Sequence, residues 1–416
     1  MPKNFNHNIS SDISMTYTFS KMKLTVVAAL GVTIGIAIYI FLNSMMAGFA
    51  RMSDTLIFRN IAHIRVYKDD DISRPLISSE NSDKKVNALV NPKIVPESQT
   101  IVNPTLLMDL LRKEKDVTMV TSQVATGIFY HKGESQIAGN TIGVNIEEAD
   151  KMFDIQTTMV AGKMLDLKST PNGILLGVGV ADKLSVKVGD NISISSPKNV
   201  TKVMKVVGLF RTANSQIDKV KSFMNISAAQ QILLQNPSYV TDLDVNIVDY
   251  KNAVNYSNRF SALTGYKAEA WQTANETFVA ASKMRSIILT SISFTVLIVA
   301  GFGIYNILSM TISQKMNDIA ILKAMGFKGN DVTRIFVQQA LMIGAIGVTV
   351  GLLLALLMVN ILSHTYVGGD IGYFPIRFEP FVFFQGAMVG LIVTFFAGLI
   401  PARKAANVDP VSILRK

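Results

Sequence analysis

Four long apolar segments separated by polar sequence dominate the pattern of this chain. They cover residues 24–50, 286–312, 335–363 and 381–402, and none of them contains a charged side chain. The hydrocarbon core of a bilayer is about 30 Å thick, and about 20 consecutive apolar residues cross it as a helix. Each segment therefore predicts a transmembrane helix, one near the start of the chain and three near its end.

Residues 51–285, between the first and second apolar segments, show shorter and mostly alternating patterns. Period-two alternation predicts strands, at residues 63–67, 117–124, 174–177, 191–195, 202–210 and 244–248. Helical spacing of apolar residues predicts short helices, at residues 103–115, 228–234 and 254–263. Because residues 275–283 contain no strong helix breaker, we predict a mixed α/β domain of two lobes, joined to the membrane by long helices on both sides.

One part of this region departs from the pattern. Residues 68–104 are rich in Asp, Ser, Asn and Pro and contain few large apolar side chains. Such a composition buries too little apolar surface to form a packed structure alone. We predict a polar, Pro-containing loop or disordered insertion, whose role the sequence does not indicate.

Basic residues in the short polar segments predict the orientation of the chain. They lie before the first apolar segment, between the second and third, and after the fourth: Lys3, Lys21, Lys23, Lys315, Lys323, Lys328, Arg334, Arg403, Lys404, Arg415 and Lys416. By the positive-inside rule, residues 1–23, 313–334 and 403–416 face the cytoplasm. The domain at 51–285 and the short connection at 364–380 then lie on the periplasmic side of a bacterial inner membrane.

The first apolar segment has an alternative interpretation, a cleaved signal peptide. Gly48-Phe49-Ala50 has the small-x-small spacing of a cleavage site. The apolar run is longer than the roughly 7–15 residues that are typical of a signal peptide. This length favours a retained membrane helix.

Composition and motifs argue against several classes of function. The net charge of +10 arises from basic residues spread over the exported domain and at helix ends, so membrane orientation explains it better than nucleic-acid binding. Cysteine is absent, and the four histidines, His7, His63, His131 and His364, form no pair at a metal-site spacing. The dipeptide at 162–163 lacks the upstream glycine of a P-loop. We therefore expect no catalytic residue, metal site or ATP site in this chain.

The apolar segments contain no ionisable side chain, and ion or proton pathways require such groups. Coupled ion transport is therefore disfavoured. Glycine pairs four residues apart let helix backbones approach closely, and the segments contain three of them: Gly31 with Gly35, Gly347 with Gly351 and Gly386 with Gly390. We predict tight helix packing at these glycines, within the chain or against a partner.

The polar loop between the second and third apolar segments contains a more specific feature. Residues 313–326 predict a short amphipathic helix with Met316, Ile319 and Ala320 on one face. Gly326 is suited to close its C-terminal end, because glycine readily adopts a left-handed conformation.

This predicted helix carries further apolar side chains outside that face. Ile321, Leu322 and Met325 leave more apolar surface than a helix in contact only with water would have. The helix therefore requires a protein groove or the lipid boundary. After it, Asn330 or Asp331 is expected to cap the third transmembrane helix.

At this loop the sequence resembles a known family. Residues 315–326, KMNDIAILKAMG, are similar to the coupling-helix signature of the FtsX-like permeases of ABC transporters, a group that contains the MacB-type exporters and the Lol-type lipoprotein-releasing permeases. The stretches at 31–49, 173–190 and 401–415 resemble the opening, the core-domain motif and the closing motif of that family. The length and layout, without a fused nucleotide-binding domain, look most like a Lol-type permease.

The resemblance implies a non-catalytic permease subunit. In this family two permease chains pair, as a homodimer or a heterodimer, and each rests its coupling helix on a cytoplasmic ABC ATPase subunit that binds ATP and Mg. The contact carried over to this sequence comprises nine residues: Lys315, Met316, Asp318, Ile319, Ala320, Leu322, Lys323, Met325 and Gly326. Residues 403–416 are expected beside the ATPase, and no cofactor is expected in this chain itself.

Three functions agree with the resemblance. The first is extraction of lipoproteins or other lipidated cargo from the inner membrane, with a periplasmic lipoprotein carrier as a further partner. The second is a MacB-like mechanotransmitter in a tripartite efflux system, with a periplasmic adaptor. The third is an FtsX-like regulator of an extracytoplasmic hydrolase. Membrane lipid is an expected partner in each case, and nucleic acid in none.

Overall fold

The computed structural model describes residues 5–20, 22–69, 100–212, 214–368, 372–409, 411 and 413. The chain divides into two compact units. The helical unit comprises Met1–Met52 and Ala280–Lys416, and the α/β unit comprises Ser53–Val279. Most of the insertion predicted at residues 68–104 lies outside the described residues.

The chain opens with two helices, α1 (Phe5–Ser20) and α2 (Met22–Phe58). The first apolar segment lies in α2. The apolar pattern of the sequence does not predict α1, because the buried side chains of this helix are polar. Ser14 and Thr18, four residues apart, are fully buried, so small polar residues form the packed side and leave no hydrophobic period to detect.

The α/β unit is built on a ten-stranded sheet. The strands are β1 (Ile64–Tyr67), β2 (Val117–Lys132), β3 (Ser135–Val144), β4 (Met159–Gly162), β5 (Gly173–Gly177), β6 (Asn191–Ser195), β7 (Thr201–Phe210), β8 (Lys221–Asn225), β9 (Asp242–Ile247) and β10 (Lys267–Ala270). Their order is β10-β1-β9-β2-β3-β8-β5-β7-β4, and β6 pairs with both β2 and β7. Strands β2, β3, β8, β5, β7 and β6 therefore close into a ring.

Short helices connect and cover these strands. They are α3 (Pro104–Arg112), α4 (Ile146–Phe153), α5 (Asp166–Ser169), α6 (Val178–Leu184), α7 (Ser215–Asp218), α8 (Ile226–Ile232), α9 (Ala253–Thr264) and α10 (Trp271–Ala274), with 3-10 turns at Ile155–Thr158 and Tyr250–Asn252. One core fills the ring and contains Val124, Ile128 and Tyr130 of β2. A second core, with Leu243, Val245 and Phe260, lies between the strands around β9 and the helices α3 and α9.

Four observed strands, β3, β4, β8 and β10, have no counterpart among the sequence predictions. β2 continues to Lys132 and pairs with β3, a strand that the sequence analysis does not predict. Gly139 explains part of this, because glycine is a poor strand former. An added Cβ there would collide with the Tyr130 ring and the Val220 carbonyl oxygen, so close packing requires glycine at this position.

The C-terminal part contains α11 (Glu276–Gln314), α12 (Met316–Ala324), α13 (Gly329–Ser363) and α14 (Pro380–Ala406), with a small hairpin of β11 (Tyr366–Gly368) and β12 (Gly372–Tyr373). Helices α2, α11, α13 and α14 are long and apolar enough to cross a membrane. The predicted fold class, four transmembrane helices and a mixed α/β domain between the first and second, is confirmed.

The start of α13 differs from the prediction. The residue before the helix is Lys328, not Asn330 or Asp331. Asp331 lies in the first turn, where its carboxylate accepts a hydrogen bond of 2.9 Å from the Lys328 backbone N–H. A side chain of the first helical turn thus accepts a hydrogen bond from the backbone N–H of the residue before the helix, as in one half of a capping box.

Candidate functional site

Helix α12, between α11 and α13, is the candidate site. It follows Lys315 directly and ends at Ala324. Gly326 has φ +102°, and its N–H donates to the Lys323 carbonyl oxygen at 3.1 Å, while the Phe327 N–H donates to that of Leu322 at 3.2 Å. This pair of bonds closes the helix in a Schellman motif, which favours glycine at the left-handed position.

One face of α12 is buried in the helical unit. Ile319 and Ala320 are fully buried, and Met316 is partly buried beside them. Ile319 packs in a cluster of apolar side chains from the ends of α11, α13 and α14: Ile312, Val332, Phe336, Ala402 and Ala405. This packing fixes which side of α12 faces outward.

Two lysines hold α12 at its ends. The Lys315 Nζ lies 2.7 Å from Asp318 Oδ2 and 4.9 Å from the centre of the Tyr17 ring in α1. The hydrogen bond to Asp318 raises the pKa of Lys315. At the other end, Lys323 Nζ donates to the carbonyl oxygens of Ala406, the last residue of α14, at 2.8 Å and of Val408, two residues beyond it, at 2.7 Å.

The outward face of α12 is apolar in its second half, after the exposed Asn317. Ile321 is 48% exposed and Met325 70% exposed, and Ala324 is exposed beside them. Leu322 is partly buried and borders a cleft with Tyr17 of α1. One exposed apolar residue is ordinary on a protein surface. Adjacent exposed apolar residues on a helix of nine residues form a surface suited to a partner.

The structure divides the nine predicted contact residues into two groups. Met316, Ile319 and Ala320 pack within the chain, and Lys315, Asp318 and Lys323 bind other groups of the same chain. Those that remain accessible are Leu322, Met325 and Gly326, together with Ile321 and Ala324, which the nine do not include. The sequence pattern gave no indication that Tyr17 of α1 contacts this loop. Residues 410, 412 and 414–416 of the predicted tail lie outside the described part.

Within the described residues, no group of three His, Asp or Glu side chains could hold a metal ion. Three histidines have structural partners there, and the His364 Nδ1 lies 2.8 Å from the Asn360 carbonyl oxygen. The His63 Nδ1 accepts a hydrogen bond of 3.0 Å from the Ile247 N–H. The His131 Nε2 lies 2.6 Å from Ser195 Oγ, across two paired strands.

Two family models match most of the chain. The model of the MacB-like periplasmic core domain matches residues 25–262, and that of the FtsX-like permease C-terminal domain matches residues 290–410. The chain belongs to the FtsX-like permeases with a MacB-like periplasmic core domain. It is thus an ABC transporter permease of the Lol and MacB type, and the resemblance seen in the sequence is confirmed.

Curated relatives of this permease carry transporter names. The "Lipoprotein-releasing system transmembrane protein LolE" of Haemophilus influenzae is 24% identical, over 97% of this chain and 98% of that protein. LolC of Neisseria meningitidis is 26% identical, over 66% of this chain and 72% of that protein. The "Macrolide export ATP-binding/permease protein MacB" of Mannheimia succiniciproducens is 22% identical, over 74% of this chain and 48% of its own length.

In this FtsX-like permease, five of the six predicted packing glycines lie at close helix contacts. An added Cβ at Gly347 would lie 2.6 Å from Val32 Cβ, and one at Gly35 would lie 2.7 Å from Ala300 Cβ. Gly351, Gly386 and Gly390 face Ile36 or Ile40 of α2 in the same way. Gly31 differs, because an added Cβ there would meet nothing within 4 Å.

Proposed function

We propose that this chain is the permease subunit that transmits ATP-driven motion from a separate cytoplasmic ABC ATPase to an exported α/β domain, and thereby extracts lipoproteins or other lipidated cargo from the bacterial inner membrane. Two permease chains pair in the assembly, as a homodimer or a heterodimer, and the partner ATPases bind ATP and Mg. The observation that carries this proposal is the exposed apolar face of α12 in a chain of this family.

The anchoring of α12 supports transmission of force. A helix that relays a push must be fixed to the structure it moves. Ile319 is buried among side chains of α11, α13 and α14, and Lys323 binds the end of α14. A force applied at Met325 therefore acts on the ends of three membrane helices at once.

Lipidated cargo supplies a reason for ATP. Each methylene group removed from lipid costs about 0.8 kcal/mol, so one acyl chain of about 14 methylenes costs on the order of 11 kcal/mol. Such a step needs coupling to hydrolysis. Relatives aligned over much of this chain have names that refer to lipoprotein release, which favours this cargo.

The basic residues around α12 support the orientation that the proposal needs. The described loop and the end of α14 contain Lys315, Lys323, Lys328 and Arg403, as expected of a cytoplasmic surface. A MacB-like mechanotransmitter with a periplasmic adaptor is the second candidate, favoured by the MacB relative. The two differ in cargo and share the contact at α12.

The contact is tested by placing a charge on the outward face. In Ile321→Asp and Met325→Asp the carboxylate would be buried without a partner against the ATPase, which costs several kcal/mol. We expect at least a tenfold loss of ATPase copurification and of release of a triacylated lipoprotein from proteoliposomes. The matched control is Leu234→Asp, at an exposed position of the α/β unit.

Unchanged copurification in both α12 variants would remove the contact from this helix. Normal copurification and hydrolysis by the unmodified complex, with no release of lipoprotein, would retain the contact and reject the cargo. Ile319→Asp is unsuited to this test. Its side chain is fully buried, so the charge would disturb the fold of the helical unit as well as the contact.

A further inference from the structure

A cavity in the α/β unit lies outside everything that the proposed function uses. Its volume is about 700 Å³, within the range of small-molecule sites. Its polar lining comes from strands on both sides of β2, and it includes Arg65, Asp244, Lys221 and Glu269. Apolar side chains complete the wall: Phe153, Phe223, Leu233 and Trp271.

The pairing of the strands explains how the charges meet. Arg65 of β1 lies opposite Glu269 of β10 and opposite Asp244 of β9. On the next strand, Thr121 of β2 lies opposite Asp244. Because directly opposite residues share a face of the sheet, these side chains form one polar row across four strands.

This row is buried, which is unusual for a charged sheet face. Asp244 is only 3% exposed and Asp242 only 1%, while the opposite face of β9 carries Leu243 and Val245 in the apolar core. Buried charges are rarely found without partners, since removing them from water is costly. A partner for each is therefore expected.

Only one of the two buried carboxylates has such a partner. The Asp242 Oδ1 lies 2.5 Å from the Arg65 Nη2. The Asp244 side chain lines the cavity and forms no hydrogen bond or ion pair with any residue in the described part of the chain. Lys221 of β8 also lines the cavity and has no carboxylate within ion-pair distance among these residues; its Nζ lies 4.7 Å from the Phe223 ring centre.

Electrostatics agree with two unsatisfied charges. Burial raises the pKa of Asp244 to about 7, and burial lowers the pKa of Lys221 to about 8. Each group also acts favourably on the charged form of the other, and both line the same cavity. A carboxylate and an ammonium group that form no close ion pair with a described residue are complementary to a ligand that carries both charges.

We propose that this cavity binds a short zwitterionic peptide, whose free ammonium group is bound by Asp244 and whose free carboxylate is bound by Lys221. The aromatic and aliphatic wall accommodates the side chains of the peptide. The backbone fixes both charged groups, because each extends from a strand in the middle of the sheet. This binding needs neither the ATPase nor α12, so its test is independent of the proposed function.

The test is calorimetric titration of the full chain in detergent with four dipeptides, Ala-Ala, Ala-Phe, Ala-Lys and Ala-Glu. We expect saturable binding of at least one dipeptide at one site per chain. The N-acetylated analogue lacks the ammonium group and the C-terminal amide lacks the carboxylate, so each should bind at least tenfold more weakly. Failure of all four dipeptides to bind would overturn the proposal.

Variants locate the site. Asp244→Asn keeps the size of the side chain and should lower the affinity for the bound dipeptide at least tenfold. Lys221→Met should lower it by a similar factor. Glu134→Gln, at an exposed position between β2 and β3, removes one negative charge elsewhere and should leave binding unchanged. If Asp244→Asn does not fold, Lys221→Met decides; full affinity in the folded variants, or equal affinity for the blocked analogues, would overturn the assignment.

Discussion

The two units place their charged side chains in opposite ways. In the helical unit, the apolar stretches that cross the membrane carry no charge, and the lysines of α12 have partners at close range, as Lys323 has in the carbonyl oxygens of Ala406 and Val408. In the α/β unit, Asp244 is buried and Lys221 partly buried at a cavity, without an ion pair to a described residue.

This contrast separates two kinds of task. Helices in lipid are stabilised by close packing, and a unit held together in this way can transmit movement without a polar pathway. Keeping an unsatisfied charge inside a soluble fold lowers its stability, and such departures from good packing occur mainly at functional sites. We therefore assign transmission to the helical unit and recognition to the α/β unit.

The largest effect is expected at a close helix contact in the helical unit. In Gly347→Ala the new methyl group would lie 2.6 Å from Val32 Cβ and 2.9 Å from the Ala29 carbonyl oxygen. Backbone atoms cannot move aside easily, so we expect a loss of about 1–3 kcal/mol in the free energy of unfolding. Thermal unfolding of the purified chain in detergent measures this loss.

Gly31→Ala is the matched control on α2. An added Cβ at Gly31 meets nothing within 4 Å, so the isolated chain should be unaffected. A loss of stability only in the assembled transporter would place a second permease chain at this position. Equal stability of the Gly347→Ala variant and the unmodified chain would contradict close packing as the basis of the helical unit.

A smaller effect, of opposite sign, is expected in the α/β unit. Burial and the neighbouring Asp242 raise the pKa of Asp244 to about 7 against the opposing effects of Arg65 and Lys221, whereas an unfolded Asp has a pKa of about 3.9. Between these values the folded state binds more protons than the unfolded state, so the free energy of unfolding falls as the pH rises. Above pH 7 the buried carboxylate is destabilising.

Replacing this group should therefore stabilise the chain. We expect Asp244→Asn to raise the Tm by about 2–4 °C at pH 8 and by less at pH 5, where the folded carboxyl is still protonated and only the unfolded state has lost its proton. Calorimetry at both pH values measures the difference. Glu134→Gln serves as the charge-matched control, and a Tm that falls at pH 8 in Asp244→Asn would show that the carboxylate has a stabilising partner.

The sequence predicts the membrane helices well, because length and apolar composition alone decide them. It also predicts β6 at its observed bounds, Asn191–Ser195, since alternation is clear there. It does not predict α1, whose buried face consists of Ser14 and Thr18. In each case the success of the prediction depends on whether the side chains packed against the rest of the fold are apolar.

The cavity was beyond sequence reasoning for a related reason. In β9 the order Asp242, Leu243, Asp244 and Val245 alternates polar with apolar residues, which is typical of a strand with one face in water. Both carboxylates are nevertheless buried. Only the pairing of β9 with β1 and β2 brings them to an enclosed face, and that pairing joins residues far apart in the chain.

The smallest effect is expected at a charge that already has its partners. Lys323 lies on the surface of the helical unit, where its Nζ donates to the Ala406 and Val408 carbonyl oxygens. Lys323→Met removes these bonds but leaves acceptors that water can reach, so we expect a loss of only about 1 kcal/mol. Lys328→Met, an exposed lysine in the same loop, is the control and should have no effect. A loss of more than about 3 kcal/mol in Lys323→Met, measured by thermal unfolding, would mean that this unit also depends on a buried charge, and the contrast between the two units would then fail.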